Sequence, residues 1–341
     1  MASTISSFSA RRRVVSAADV VRVGTLAPQL SYPAVIEPGG AALEPSEWAA
    51  QSQGMIETLL AAEGAVLFRG FDIAGAAAFR SFVAALAPAL LDYRERAAPR
   101  TEKAANIYSS TEYPPAYPIP MHHELAYAHQ WPMRLWFHCE TPAQDGGATP
   151  IARDDVFLAS LDPRIRARFE QKGVMYVRNY GPVLDMPWQE AFQTSDRAEV
   201  EHYCSEAGLE CRWRDGGRLR TVRTTPAMRV HPRTGRSLWF NHAHLFHISN
   251  VEPELRAHLM ASLDPDDYPR NAFYGDGSAI EDDVLDEIRR AYTQASIRFA
   301  WKRGDVLLLD NMAMTHGREP FSGPRSILVA MTDPVFARDL Q

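Results

Sequence analysis

Cysteine is scarce in this chain of 341 residues, with Cys139, Cys204 and Cys211 its only three. Their odd number and the absence of zinc-type spacing exclude a disulfide framework and a zinc ribbon, and suit reduced thiols in a cytosolic protein. No apolar run approaches the roughly 20 residues that a membrane-spanning helix needs. Positive charge is not in excess either: the net charge is −6, which argues against a general nucleic-acid partner. There is no internal repeat and no long low-complexity run. Acids are missing from residues 1–15, which hold Arg11, Arg12 and Arg13 among serines and threonines. That composition is shared by mitochondrial transit peptides and by flexible tails. The Ala/Arg-rich remainder points to a bacterial cytosolic protein, with residues 1–30 as a flexible tail.

What the chain does have is apolar content and clear local periodicity. With 46% hydrophobic residues it can bury a large core. It is expected to form one domain over residues 31–341, with a helix and hairpin inserted at about 186–236. Ser46 is a candidate N-cap for a helix whose face is Met55, Ile56, Leu59 and Leu60 and whose stop is Gly64. Residues 65–71 suit a buried strand, and Phe79, Phe82, Val83 and Leu86 suit the next helix face. In residues 131–139, Leu135 and Phe137 alternate with Trp136 and His138, the pattern of a strand. A helix over 154–172 stopped by Gly173, a strand over 174–180, and helices near 253–263 and 284–292 follow.

Two stretches far apart in the chain carry the chemistry. One is a turn at Gly304-Asp305 followed by a buried strand that delivers His316, with Arg318 and Arg325 behind it. The other is Met121-His122-His123-Glu124-Leu125-Ala126-Tyr127. On a strand, successive side chains alternate, so His122 and Glu124 would share a face and His123 would point away. Two imidazoles and one carboxylate, with further coordination positions open, suit non-haem Fe(II).

The order His122-x-Glu124, Gly146-Gly147-Ala148-Thr149-Pro150, Tyr274-Gly275-Asp276-Gly277, Gly304-Asp305, His316-Gly317-Arg318 and Gly323-Pro324-Arg325 resembles the TauD/TfdA group of Fe(II)/2-oxoglutarate dioxygenases. More narrowly it is similar to the SyrP-like branch, which carries Glu rather than Asp in its first motif. The resemblance runs from about residue 65 to residue 336. It implies an α+β fold with a mainly β core, a distorted double-stranded β-helix or jelly roll flanked by helices. It implies that His122, Glu124 and His316 are the metal ligands and catalytic centre. It also implies that Arg325, together with Thr149, 27 residues after His122, holds the outer carboxylate of 2-oxoglutarate, with Arg318 as a further cofactor-binding residue. Arg suits that task because its planar fork pairs bidentately with a carboxylate in a dry pocket. Asp305, Asp310 and Asn311 lie where they can orient the ligands, or serve as ordinary turn residues.

Two departures from relatives narrow the reaction. Where the taurine-cleaving branch carries a second arginine for the sulfonate, this chain has Val329, which disfavours sulfonate oxygenation. Where related halogenases carry a small residue, it keeps Glu124, so hydroxylation is the expected outcome. Desaturation, epoxidation and cyclisation are alternatives within the same chemistry. The expected substrate is an amino acid or amino-acid derivative, free or bound to a carrier protein in natural-product biosynthesis. Another free small carboxylic acid is the enzymatic alternative, and a metal-bound jelly-roll binding protein without turnover is the alternative of another class.

Residues 90–120 suit a loop over the metal, which makes Asn106, Ser109, Ser110, Thr111 and above all Glu112 candidate substrate contacts. Asn241 and His244 are further candidates, whereas His242 and His247 suit hydrogen-bonded scaffold. Eight arginines lie between Arg212 and Arg236 against one acid, Asp215. They form either a solvated hairpin face or a docking face for an acidic carrier protein.

Overall fold

The protein is described by a computed structural model covering residues 20–40, 43–87, 101–104, 106–110, 113–181 and 185–340. Thr111 and Glu112 lie outside the described residues, as do residues 1–19. The main sheet has eight strands in the order β1-β2-β3-β16-β7-β19-β5-β4. These are β1 (Val21–Thr25), β2 (Ala34–Pro38), β3 (Ala65–Phe68), β4 (Glu102–Ala104), β5 (Ile107–Ser109), β7 (Gln130–Thr141), β16 (Val306–Asp310) and β19 (Ser326–Phe336). A three-stranded sheet places β17 (Met314–Arg318) between β6 (Ile119–His122) and β9 (Ile151–Arg153), and β8 (Asp145–Gly146) pairs with β18 (Phe321–Ser322). The expected tail boundary at residue 30 is corrected, because Val23 in β1 already pairs with Ile36 in β2.

Strand alternation sorts the core into two layers. Val306 and Leu308 of β16, with Trp136 of β7 and Leu328 of β19, face helices α1 (Pro45–Gln51), α2 (Gln53–Glu63) and α3 (Gly75–Leu86). Phe79 and Phe82 of α3 are fully buried in this layer, each stabilising the fold by about 1.5–3 kcal/mol through removal of apolar surface from water. The alternate residues Leu307, Leu309, Leu135, Phe137, Ile327 and Val329 face inward, toward Met121, Ile151 and Met314 of the three-stranded sheet. The site is built between these two sheets.

Breaks in the helices follow local chemistry. The first helix begins at Pro45, with Glu44 rather than Ser46 as its N-cap: the Glu44 side chain accepts from Glu47 N at 2.6 Å. Ser52 divides α1 from α2, and Gly64 ends α2 at φ 73°. The expected helix over 154–172 is two, α4 (Asp154–Ser160) and α5 (Pro163–Lys172). Pro163 cannot continue a helix but starts one well, and Asp162 caps the second through Arg164 N.

A second sheet, ordered β11-β12-β10-β15, consists of β10 (Val174–Tyr180), β11 (Glu210–Trp213), β12 (Leu219–Thr225) and β15 (Arg270–Tyr274). The inserted helices α6 (Trp188–Phe192) and α7 (Arg197–Glu206) cover one end through Trp188, Phe192, Val200 and Cys204. The hairpin β13 (Met228–Val230) and β14 (Ser237–Trp239), then α8 (Ala243–Phe246), α9 (Pro253–Ser262) and α10 (Asp282–Ala295), precede β16 in the chain. The architecture is the expected α+β jelly roll with flanking helices.

Candidate active site

Register brings the two motif histidines together. His316, in the middle of β17, pairs directly with His122 at the end of β6, and the ring centroids are 4.3 Å apart. Gly317 permits this close pairing, since a Cβ there would lie 2.8 Å from Ile119 O. His122 Nδ1 lies 2.8 Å from Pro120 O; a carbonyl only accepts, so Nδ1 carries the proton and Nε2 keeps its lone pair. His122, Glu124 and His316 each present one ligand-type atom, and these atoms all lie within 4.8 Å of one another. Two neutral-capable imidazoles and one carboxylate are a donor set that fits Fe(II).

Glu124 reaches the cluster differently from expectation. The strand ends at His122, and Glu124 stands in the turn that follows rather than two places along the same strand. Leu125 takes φ 58°, an uncommon conformation for a non-glycine residue, and Ala128 N closes the turn on Leu125 O at 2.8 Å. Asn311 fixes it from the other side. Its Oδ1 accepts from Glu124 N at 2.7 Å, and its Nδ2 donates to Glu124 O at 2.9 Å and Pro132 O at 2.8 Å. This fully buried amide thus ties the ligand-bearing turn to β7, with both Nδ2 donors used. Of the three polar residues near β16, Asn311 does the orienting. Asp305 instead pairs with Arg69 at 2.6 Å, and Asp310 pairs with His231 at 2.9 Å and accepts from Met312 N.

Around the turn stands a shell of buried histidines. His123 Nδ1 donates to Asn311 O at 2.6 Å, His244 Nε2 donates to Met121 O at 2.8 Å, and His242 Nε2 donates to His123 O. Burial lowers the pKa of His123 to about 4 and that of His244 to about 3, so both stay neutral and serve as donors near neutral pH. His244 and Asn241 are therefore corrected from substrate contacts to scaffold. Asn241 Nδ2 donates to Ala227 O at 3.1 Å and its Oδ1 accepts from Ala243 N, and neither residue lines the cleft.

A cleft of about 380 Å³, measured to its open mouth, runs from His122 and His316 past Thr149, Arg318, Arg325 and Val329. Arg325 bonds through Nε to Gly147 O at 3.0 Å, and its pKa is pushed down to about 10, first by burial and then by the charge of Arg318. A half-buried guanidinium without a carboxylate among the described residues suits an anionic ligand. Gly147 makes the approach possible: it has φ +67°, and a Cβ there would meet Arg325 Nε at 3.1 Å. Thr149 is buried, and Trp301 Nε1 donates to its Oγ1 at 3.0 Å. That bond occupies a lone pair and leaves the hydroxyl proton for a ligand. Trp301 opens the motif stretch, but only the fold gives it this partner. Ser110 also lines the cleft.

Arg318 departs from expectation. It lines the cleft, but Nη1 donates to Tyr113 O at 2.9 Å, and Nη2 donates to Pro114 O and Tyr117 O at 2.8 Å each. A fork so occupied is not available to grip a carboxylate bidentately, which corrects its expected cofactor contact. The arginine-rich segment is largely neutralised from elsewhere in the chain. Arg214 pairs with Asp267, Arg220 with Asp266 at 3.3 Å, Arg233 with Glu57 at 3.0 Å and Arg236 with Asp155 at 3.5 Å. None of the three cysteines is in a disulfide.

The jelly roll, the histidine–carboxylate cluster and the basic cleft beside it define an iron- and 2-oxoglutarate-dependent oxygenase. Comparison with known proteins agrees. The model of the "Taurine catabolism dioxygenase TauD, TfdA family" matches residues 31–332, and the chain belongs to that family. Fe(II) is its metal and 2-oxoglutarate its co-substrate. Over 281 residues it is 44% identical to the dapdiamide synthesis protein DdaC of Enterobacter agglomerans, covering 82% of this chain and 85% of that one. It is 32% identical over 287 residues to a clavaminate synthase-like protein of Arabidopsis thaliana, covering 81% and 83%. Among solved structures it is similar to PvcB of Pseudomonas aeruginosa, with a TM-score of 0.55, 18% identity and coverage of 92% and 91%. A second PvcB structure, described as an Fe, alpha-ketoglutarate dependent oxygenase from an isonitrile synthetic pathway, gives a TM-score of 0.55 at 17% identity, covering 93% and 94%. No helix among the described residues is long and apolar enough to cross a membrane.

Proposed function

We propose that this dioxygenase oxidises a C–H bond of an amino acid or amino-acid derivative in natural-product biosynthesis, with hydroxylation as the outcome. His122, Glu124 and His316 hold the iron, and Arg325 and Thr149 hold the outer carboxylate of 2-oxoglutarate. The observation that carries this reading is the meeting of three ligand atoms within 4.8 Å at one end of a cleft that also contains a carboxylate-free arginine. When bound, Fe(II) and 2-oxoglutarate supply oxygen activation coupled to release of succinate and CO2. The chain's own residues set the conditions for it. Pro120 O fixes the His122 tautomer, Asn311 fixes the Glu124 turn, and Phe137, Ile327 and Val329 give the cleft apolar walls that exclude water.

The substrate class draws on the relative named for dapdiamide synthesis and on Val329, which offers no charge for a sulfonate. Delivery by a carrier protein is kept as part of the proposal, but the paired arginines between 212 and 236 do not favour that segment as its dock. Mass spectrometry of amino acids and N-acylated amino acids tests the reading, each supplied free and as a carrier-bound thioester with Fe(II), 2-oxoglutarate and oxygen. Addition of one oxygen atom to such a substrate, with matching succinate, is the expected result. Succinate formation triggered only by carboxylic acids that lack nitrogen would overturn the substrate class.

A further inference from the structure

Residues 113–117 form a turn between Ser110 and Ile119, and both of those residues line the cleft that contains Thr149 and Arg325. Internally the turn is tied by Tyr117 N to Pro114 O at 3.2 Å, and Phe321 N holds Pro115 O at 3.0 Å. Its principal attachment is Arg318, whose two terminal nitrogens reach three of its carbonyls, on Tyr113, Pro114 and Tyr117, at 2.8–2.9 Å. Bonds from an ionised donor are about twice as strong as neutral ones, and three of them converge on five residues. The guanidinium is also covered: its carbon lies 5.2 Å from the Phe321 ring centroid and 6.0 Å from that of Tyr113. It faces no carboxylate among the described residues, and its Nε is buried without a hydrogen-bond partner.

We propose that Arg318 is a positioning residue that clamps the 113–117 turn as a wall of the cleft, and that it is not itself a ligand of oxoglutarate. The proposal rests on the reading of this cleft as the oxoglutarate site. Clamping gives the motif arginine beside His316 a purpose that its spacing does not reveal. It holds in place a turn that leads into Ile119, which lines the cleft proposed to take the co-substrate. It also explains a buried cation among carbonyls, since backbone oxygens solvate the charge that water would otherwise solvate.

Hydrogen–deuterium exchange over residues 107–119 of the full-length protein, paired with calorimetric titration of N-oxalylglycine in the presence of Mn(II), tests this. In Arg318→Met the exchange of that segment should rise by about tenfold or more, while N-oxalylglycine affinity falls far less than in Arg325→Met. Arg325→Met should leave the exchange of the segment unchanged. Arg318→Lys keeps the positive charge in its part-buried place but loses the planar fork. It should retain N-oxalylglycine affinity within about threefold and still exchange faster than the wild type. Wild-type exchange in either Arg318 variant overturns the clamp. Loss of N-oxalylglycine affinity in Arg318→Met as large as in Arg325→Met makes Arg318 a ligand and likewise overturns it. Failure of the wild-type protein to bind N-oxalylglycine with Mn(II) would instead overturn the reading of the cleft itself.

Discussion

Single side chains in this site are defined by what has already claimed their hydrogen-bonding atoms. Thr149 faces the cleft with one lone pair taken by Trp301 Nε1, which leaves its proton for the co-substrate carboxylate proposed to bind there. Trp301→Phe keeps an aromatic side chain but removes the donor, freeing the hydroxyl to rotate. A lost hydrogen bond of about 1 kcal/mol corresponds to a roughly fivefold rise in the apparent KM for 2-oxoglutarate. Steady-state succinate assays at varied 2-oxoglutarate and varied Fe(II) check this, with the iron requirement expected to stay unchanged. The same logic separates Arg325 from Arg318. Both line the cleft, but Arg325 holds one carbonyl through Nε, whereas Arg318 has both terminal nitrogens engaged.

At the scale of elements, the His-x-Glu motif works as a strand end joined to a turn. Alternation along a strand would place His122 and Glu124 on one face, and the chain achieves the same convergence by ending β6 and turning at Leu125. Asn311 is the joint between that turn and the end of β16. Asn311→Ala removes two bonds to the turn and one to Pro132 O in β7, and should lower affinity for Mn(II) or Fe(II) by about 10–100-fold, measured by metal titration, while the protein remains folded. Alternating apolar residues made β7, β16 and the helix faces legible in the sequence, because burial there depends on local period. His122, Glu124, His316, Thr149 and Arg325 were legible through motifs that resemble the TauD/TfdA group, and the structure brings them near one another. Asn241 and His244 were not, since nothing local to a polar residue says whether a carbonyl or a cavity faces it. The acids that neutralise the arginine-rich hairpin were equally hidden, because Asp266, Asp267, Glu57 and Asp155 come from distant segments.

Across the whole molecule, the site depends on two sheets held against each other and on the helices that brace them. Asp154 is one brace. At the start of α4 it is 2% exposed, its N donates to Ala313 O, and its Oδ1 accepts from Trp239 N at 3.2 Å, while Oδ2 is buried without a hydrogen-bond partner among the described residues. Burial raises its pKa from 3.8 to about 8. The folded protein therefore keeps a proton that the unfolded chain releases, and this group's contribution to stability declines as pH rises from about 4 to about 8. The slope is at most about 1.4 kcal/mol per pH unit. Melting temperatures across pH 5 to 8 should fall in the wild type and fall less steeply in Asp154→Asn, which is neutral throughout. The proposed iron site draws all three ligands from the three-stranded sheet and the turn it leads into: His122 from β6, Glu124 from the turn beyond it and His316 from β17. Its most direct test is succinate release from 2-oxoglutarate under oxygen, comparing wild type with Glu124→Ala at saturating Fe(II), in the presence of an amino-acid substrate that triggers turnover. The account predicts iron-dependent succinate and oxidised product from the wild type and no oxidised product from the variant. Undiminished product from Glu124→Ala, or wild-type succinate that does not require iron, would contradict it.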